Sequence, residues 1–166
     1  MSAVITAAEA ADLLYREGHF LDARRWDDWL GLYCEDAVFW VPAWKGPHEL
    51  VDSPDTEVSL MYYTARAGLE DRVWRVKSGL SAASSPLRRT SHGVASVIIA
   101  GQSAAGVEVH ASWTCHAFDL RQGAQHVFFG RYEHLLRREG GSWKIARKKI
   151  VLMNDRIPTM LDFYCI

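Results

Sequence analysis

The sequence predicts an α+β fold in which N-terminal helices pack on a long, curved, mainly antiparallel sheet. Three observations carry this. Helical spacing of apolar residues is confined to the first half of the chain. From Thr90 to Asn154 no helical period appears, and apolar segments alternate with glycine-bearing turns. A length of 166 residues at 49% hydrophobic content suits one domain, residues 1–166, with a single sizeable core.

The elements follow in order. Thr6-Ala7-Ala8-Glu9 reads as a capping box, the Thr hydroxyl and the Glu carboxylate each satisfying a first-turn N–H. Ala10, Leu13, Leu14 and Leu21 then recur at i, i+3, i+4 and i+11, one face of a helix reaching about Ala23. Trp26, Trp29, Leu30 and Tyr33 predict a second helix, with Asp27 and Asp28 in the first turn where the macrodipole favours them. The two Trp residues are expected in the core. Val38-Phe39-Trp40-Val41 reads as a strand stopped by Pro42. Lys45 to Thr56, with two prolines and several acids, reads as a long loop of the kind used for lids and interface arms. Val58 to Arg66 is strand-like. Leu69, Val73 and Val76 mark a short helix with Asp71–Arg75 as an i, i+4 pair and Gly79 as its stop. Thr90–Ala100, Val107–Leu120, His126–Arg138 and Trp143–Met153 are four further strands, expected to form an antiparallel meander. Helices followed by such a meander are the order of the cone-shaped nuclear transport factor 2-like (cystatin-like) fold.

Composition excludes several functions. A formal charge of −1 gives no basic excess for a phosphate backbone. Arg88-Arg89 and Arg147-Lys148-Lys149 are therefore expected as solvated faces or ion-pair partners. No apolar run approaches the roughly 20 residues that cross a bilayer, and the N-terminus is a poor signal peptide. The three cysteines, Cys34, Cys115 and Cys165, are odd in number and far apart, which fits a reducing cytoplasm.

Chemistry-bearing constellations are scarce. A Rieske cluster needs paired Cys and His, yet Cys115 and His116 are adjacent on a strand and face opposite ways. His110 and His116 share a face but stand about 20 Å apart along it, too far for one metal ion. There is no phosphate loop or nucleophile elbow. Tyr15, Asp36, His92, His116 and His134 could line an acid–base pocket. The bland reading has Asp36 ending a helix, Tyr15 packing with its hydroxyl outward and the histidines bonded within the sheet.

Four segments resemble the small (β) subunits of Rieske-type aromatic-ring-hydroxylating dioxygenases, in order and over nearly the whole chain. They are Trp29–Ala43, Glu57–Val76, Arg89–Val97 and Trp143–Asp155. An EVSL-x-YY element (Glu57–Tyr63) preceding GLEDRV (Gly68–Val73) is most similar to the benzoate, toluate and anthranilate branch. Met153-Asn154-Asp155 departs from it, since many relatives carry an acidic residue directly after the leucine, and a local contact is expected to change.

The resemblance implies a non-catalytic subunit, with no cofactor or metal of its own, in an oxygenase of three α and three β subunits. The α subunit would carry the Rieske [2Fe–2S] cluster, a mononuclear non-haem Fe(II) and the aromatic carboxylate, with electrons from NADH arriving through a reductase. The β subunits would form a trimer that scaffolds the α subunits. Arg66, Arg72, Arg75, Arg88, Arg89 and His92 are candidates for the partner interface. Phe163 and Tyr164 join them, because the apolar chain end Leu161–Ile166 is expected to dock on its own sheet or on a neighbour. Two other readings stay open: a stand-alone dehydratase- or isomerase-like enzyme using an Asp/His pair, and a ligand-binding homodimer.

Overall fold

A computed structural model describes residues 4–81, 85–157 and 161–166. Helix α1 spans Ala7–Asp22, and its capping box forms as the sequence predicts. The Glu9 N–H donates to Thr6 Oγ1 at 3.2 Å, and Glu9 Oε2 accepts from the Thr6 N–H at 2.8 Å. Ala10, Leu13, Leu14 and Leu21 are buried along one face. The helix ends in a Schellman turn, with the Arg24 N–H bonded to the Leu21 carbonyl and the Arg25 N–H to that of Phe20. Arg24 occupies the left-handed position of that turn, at φ 57°.

Helix α2, Trp26–Gly31, is shorter than its spacing predicts. Tyr33 is not its last apolar residue but the first of β1, Tyr33–Pro42. Pairing with a distant strand overrides the local period here, since Tyr33 lies opposite Ile145. Asp36 consequently sits in an exposed stretch of β1 rather than at a helix end, and Pro42 closes the strand from within. Inside the expected loop lies a small hairpin, β2 (Trp44–Gly46) with β3 (Glu49–Leu50). Lys45 holds this arm together, 3.2–3.3 Å from Glu49, Asp52 and Glu57.

Strand β4 is Ser59–Tyr63 and helix α3 is Arg66–Ser78, stopped by Gly79 in the left-handed conformation at φ 66°. The expected faces are buried: Leu69, Val73 and Val76. The i, i+4 ion pair on this helix is Arg66–Glu70 at 2.9 Å, not Asp71–Arg75.

The meander forms as β5 (Arg89–Ser103), β6 (Gly106–Asp119), β7 (Ala124–Glu139) and β8 (Ser142–Leu152). The six-stranded sheet runs β4-β1-β8-β7-β6-β5, and β1 joins β8 in parallel, so the sheet is mixed rather than wholly antiparallel. Strand β6 alternates strictly, Val107, Val109, Ala111, Trp113, Cys115 and Ala117 facing inward. Asn154, in the segment that departs from the family pattern, clasps the adjoining strand: its Oδ1 accepts from the Phe129 N–H and its Nδ2 donates to the Val127 carbonyl.

The core lies between this concave face and the helices. The C-terminal segment completes it with a 3-10 turn, Phe163–Cys165. Cys34, Cys115 and Cys165 are buried free thiols.

Candidate functional site

Two places carry the polar chemistry of this molecule: the middle of the core and the seam where α1, β5 and the chain end meet. In the core, Glu17 falls on the apolar face of α1, four residues after Leu13 and four before Leu21. Its side chain is 2% exposed. Lys148 is equally enclosed at 1%, because the inward register of β8 carries it between Ile145 and Ile150. Lys148 Nζ donates to Glu17 Oε1 at 2.8 Å, and the Tyr33 hydroxyl donates to the same oxygen. His134 Nε2 stands 3.4 Å from Glu17 Oε2. The ammonium also lies 4.1 Å from the centre of the Tyr132 ring, which stacks on Trp113.

Carboxylate, amine, imidazole and phenol are the groups that acid–base enzymes use, but here each is engaged by another. Burial pushes the Glu17 pKa up, yet the charge and hydrogen bond of Lys148, with His134 close by, outweigh it, leaving the carboxyl well below its usual range. Burial pushes both His134 and Lys148 down, against the opposing pull of Glu17.

The signs give an acid-labile fold. Below His134's ordinary value of 6.5 the unfolded chain takes up its proton first, and below Glu17's ordinary 4.5 it does so again. Stability falls with pH in both windows. The thermal midpoint is therefore expected to drop between pH 7 and 5.5, and to drop further below pH 4.5. His134→Asn should flatten the upper limb; a midpoint constant from pH 7 to 4 contradicts this assignment.

The structure does not gather the five acid–base candidates. Tyr15 is exposed, Asp36 pairs with Arg137 on the outside, and His116 points outward while Cys115 points in. His134 is alone of the five in the Glu17 cluster. His92 is clamped under α1: its ring Nδ1 lies 2.6 Å from Asp22 Oδ1, and its N–H donates to Asp22 Oδ2 at 2.8 Å. Thr90 Oγ1 adds a third bond to Asp22 at 2.9 Å. This is an Asp/His pair, but the imidazole is 1% exposed and fastens α1 to β5.

The expected interface residues divide into three groups. Arg75 and Arg89 face solvent. Arg66, Arg72 and Arg88 work within the chain. Arg66 bonds Glu70 and the Tyr33 carbonyl, and Arg72 ties α3 to Asp162 at 2.9 Å. Arg88 is buried against Asp119, with Cys165 Sγ 3.9 Å away. Phe163 and Tyr164, expected to dock on the chain's own sheet or on a neighbour, are core residues of the chain itself, 0% and 3% exposed. Phe163 stacks on Trp29 with ring centres 5.0 Å apart and meets Trp26 edge-on. That leaves little of either ring to offer another chain.

Sequence reasoning missed Glu17 and Lys148. The first had a signal, a carboxylate inside an apolar helical stripe; the second was hidden in a basic run that reads as a solvated face. Apolar surface remains outside: Phe118, Leu120, Val127 and Phe129 on β6 and β7 and their connection, and Trp74 with Leu80 around the end of α3.

Helices packed on a mixed sheet over an apolar core, with large apolar side chains left exposed on β6, β7 and α3, define an α+β protein with surface that a partner could cover. Comparison with known proteins agrees with that class. The family model for the ring hydroxylating beta subunit matches residues 16–159, and the chain belongs to this family. It is 36% identical over 162 residues to the benzoate 1,2-dioxygenase subunit beta of Acinetobacter baylyi, covering 98% of this chain and 95% of that protein. The solved β subunit of benzoate 1,2-dioxygenase from Burkholderia mallei superposes with a TM-score of 0.81 at 35% identity, covering 99% of each chain. A putative scytalone dehydratase from Novosphingobium aromaticivorans shares the fold at 14% identity, with a TM-score of 0.66, 92% of this chain and 89% of that one being covered. The chain is thus a small subunit of the ring-hydroxylating dioxygenase kind, on the nuclear transport factor 2-like fold. Among the described residues no group of three or more His, Cys, Asp or Glu is placed to hold a metal ion, and no helix is long and apolar enough to cross a membrane.

Proposed function

We propose that this chain is the scaffolding subunit of an oxygenase that hydroxylates a benzoate-like aromatic carboxylate. The observation that carries this reading is the match to ring hydroxylating beta subunits over residues 16–159. The polar groups of the core agree with it, since Glu17, Lys148, His134 and Tyr33 are gathered on one another and Trp113 stacks on Tyr132. The substrate class rests on the names of its relatives, benzoate, 2-halobenzoate, toluate and anthranilate dioxygenase small subunits.

In this reading the chain is one domain that forms a trimer beneath three large subunits in the cytoplasm. The large subunit supplies the Rieske [2Fe–2S] cluster and the mononuclear iron, and NADH supplies electrons through a reductase. Of the expected contact residues, Arg75 and Arg89 have the exposure to meet a partner, together with Trp74 and the apolar face of β6 and β7. Trp and Arg are the residues most enriched among interface hot spots.

Co-expression with its large subunit is expected to yield a brown complex whose mass fits six chains. Expressed alone, the chain is expected to be colourless and free of iron. Oxidation of an aromatic acid, or dehydration of a small molecule, by the isolated chain would overturn the scaffold reading.

A further inference from the structure

We infer that the buried Glu17–Lys148 contact is a register key: it selects which of three consecutive basic residues on β8 turns inward, and so fixes the face that the sheet shows outside.

Strand β8 lies within the sheet, parallel to β1 on one side and antiparallel to β7 on the other. Both of its ladders shift at one point. Leu136 lies opposite Ile145 and Leu135 opposite Arg147, so Ala146 is passed over on the β7 side. It is passed over again on the β1 side, between Tyr33–Ile145 and Val38–Arg147. Such a bulge moves the alternation by one residue. Ile145 points inward before it, and Lys148, Ile150 and Leu152 point inward after it. Without the bulge, a side-chain period of two would instead turn Arg147, Lys149 and Val151 inward.

Apolar burial separates these two registers weakly. Ile150, Val151 and Leu152 are all buried, so the end of the strand is apolar on both faces and carries little register information of its own. The charges separate them sharply. In the observed register a single cation enters the core. Lys148 meets Glu17 at 2.8 Å, with the Tyr132 ring on one side and the Phe39 ring on the other. Arg147 and Lys149 point outward, to Glu108 at 2.7 Å and to Glu133 at 3.2 Å. In the other register two cations would enter against the one carboxylate of the cluster, and both outer contacts would be given up.

A buried ion pair adds little net stability over apolar residues of the same volume, and setting register is its best-attested use. The outer face follows from the same choice, since Lys149 also lies 5.2 Å from the centre of the Trp40 ring.

The test separates uniqueness from stability. In the full chain, Glu17→Gln combined with Lys148→Met removes both charges and keeps the volumes. Nuclear magnetic resonance of the wild type is expected to give one set of β8 amide signals, with Tyr132 in cross-strand contact with Ile150. The double variant is expected to stay folded and to give two sets, the second with Tyr132 against Lys149. Arg147→Gln, which removes an outer charge, serves as the control and is expected to keep one set. A single set with the Tyr132–Ile150 contact in the double variant overturns the key, because packing alone would then choose the register. Failure of the double variant to fold overturns it as well, since the pair would be holding the fold up rather than choosing between pairings. Two sets in the Arg147→Gln control do the same, by moving the choice to the outer ion pairs.

Discussion

Lys148→Met is expected to lower the unfolding free energy by about 3–5 kcal/mol, the usual cost of stranding one member of a buried ion pair. The substitution leaves Glu17 ionised against Tyr33 and His134 with no cation beside it. Methionine fills nearly the same space, so the loss is electrostatic and not a cavity effect. Adding Glu17→Gln should recover most of the stability, because a buried pair replaced as a unit is often close to neutral. Urea unfolding of the two single variants and the double variant measures this. Two single losses that simply add in the double variant would show that the pair is not coupled.

Truncation before Phe163 is expected to be more damaging still. Phe163 is fully buried, stacked on Trp29 and edge-on to Trp26, and removing a buried Phe side chain alone costs about 3–5 kcal/mol. The same cut removes Tyr164, Cys165 and Ile166, all buried, and exposes the indoles of α2 to water. Loss of the cooperative transition at 37 °C together with a red shift of Trp fluorescence is the anticipated result. Unchanged melting would mean that the tail only rests on the core. Phe163→Ala offers the graded version, separating the ring from its neighbours.

The sequence displayed the elements and their order far better than it displayed their joining. Periods of 3.6 and 2 are local, so α1, α3 and the four strands of the meander were visible within a few residues. The place of β1 was not. On one side its neighbour is β8, about a hundred residues away, and no local pattern encodes a parallel pairing between them. The same limit hid the polar core. Glu17 and Lys148 each look misplaced alone, and only the sheet brings them to 2.8 Å. Phe163 and Tyr164 show the converse: an apolar chain end announces that it must be covered, not by what. The chain's own α2 covers it.

The parallel seam between β1 and β8 has a consequence for how the protein comes into being. Tyr33 meets Ile145, and Trp29 meets Phe163, so part of the first third of the polypeptide finds partners in the last. Contacts so distant in sequence make folding slow. On the ribosome, where residues emerge at about 5–20 per second, β1 waits with an unpaired edge until translation is almost finished. The sheet gains its full width only once β8 has emerged to join β1 to β7.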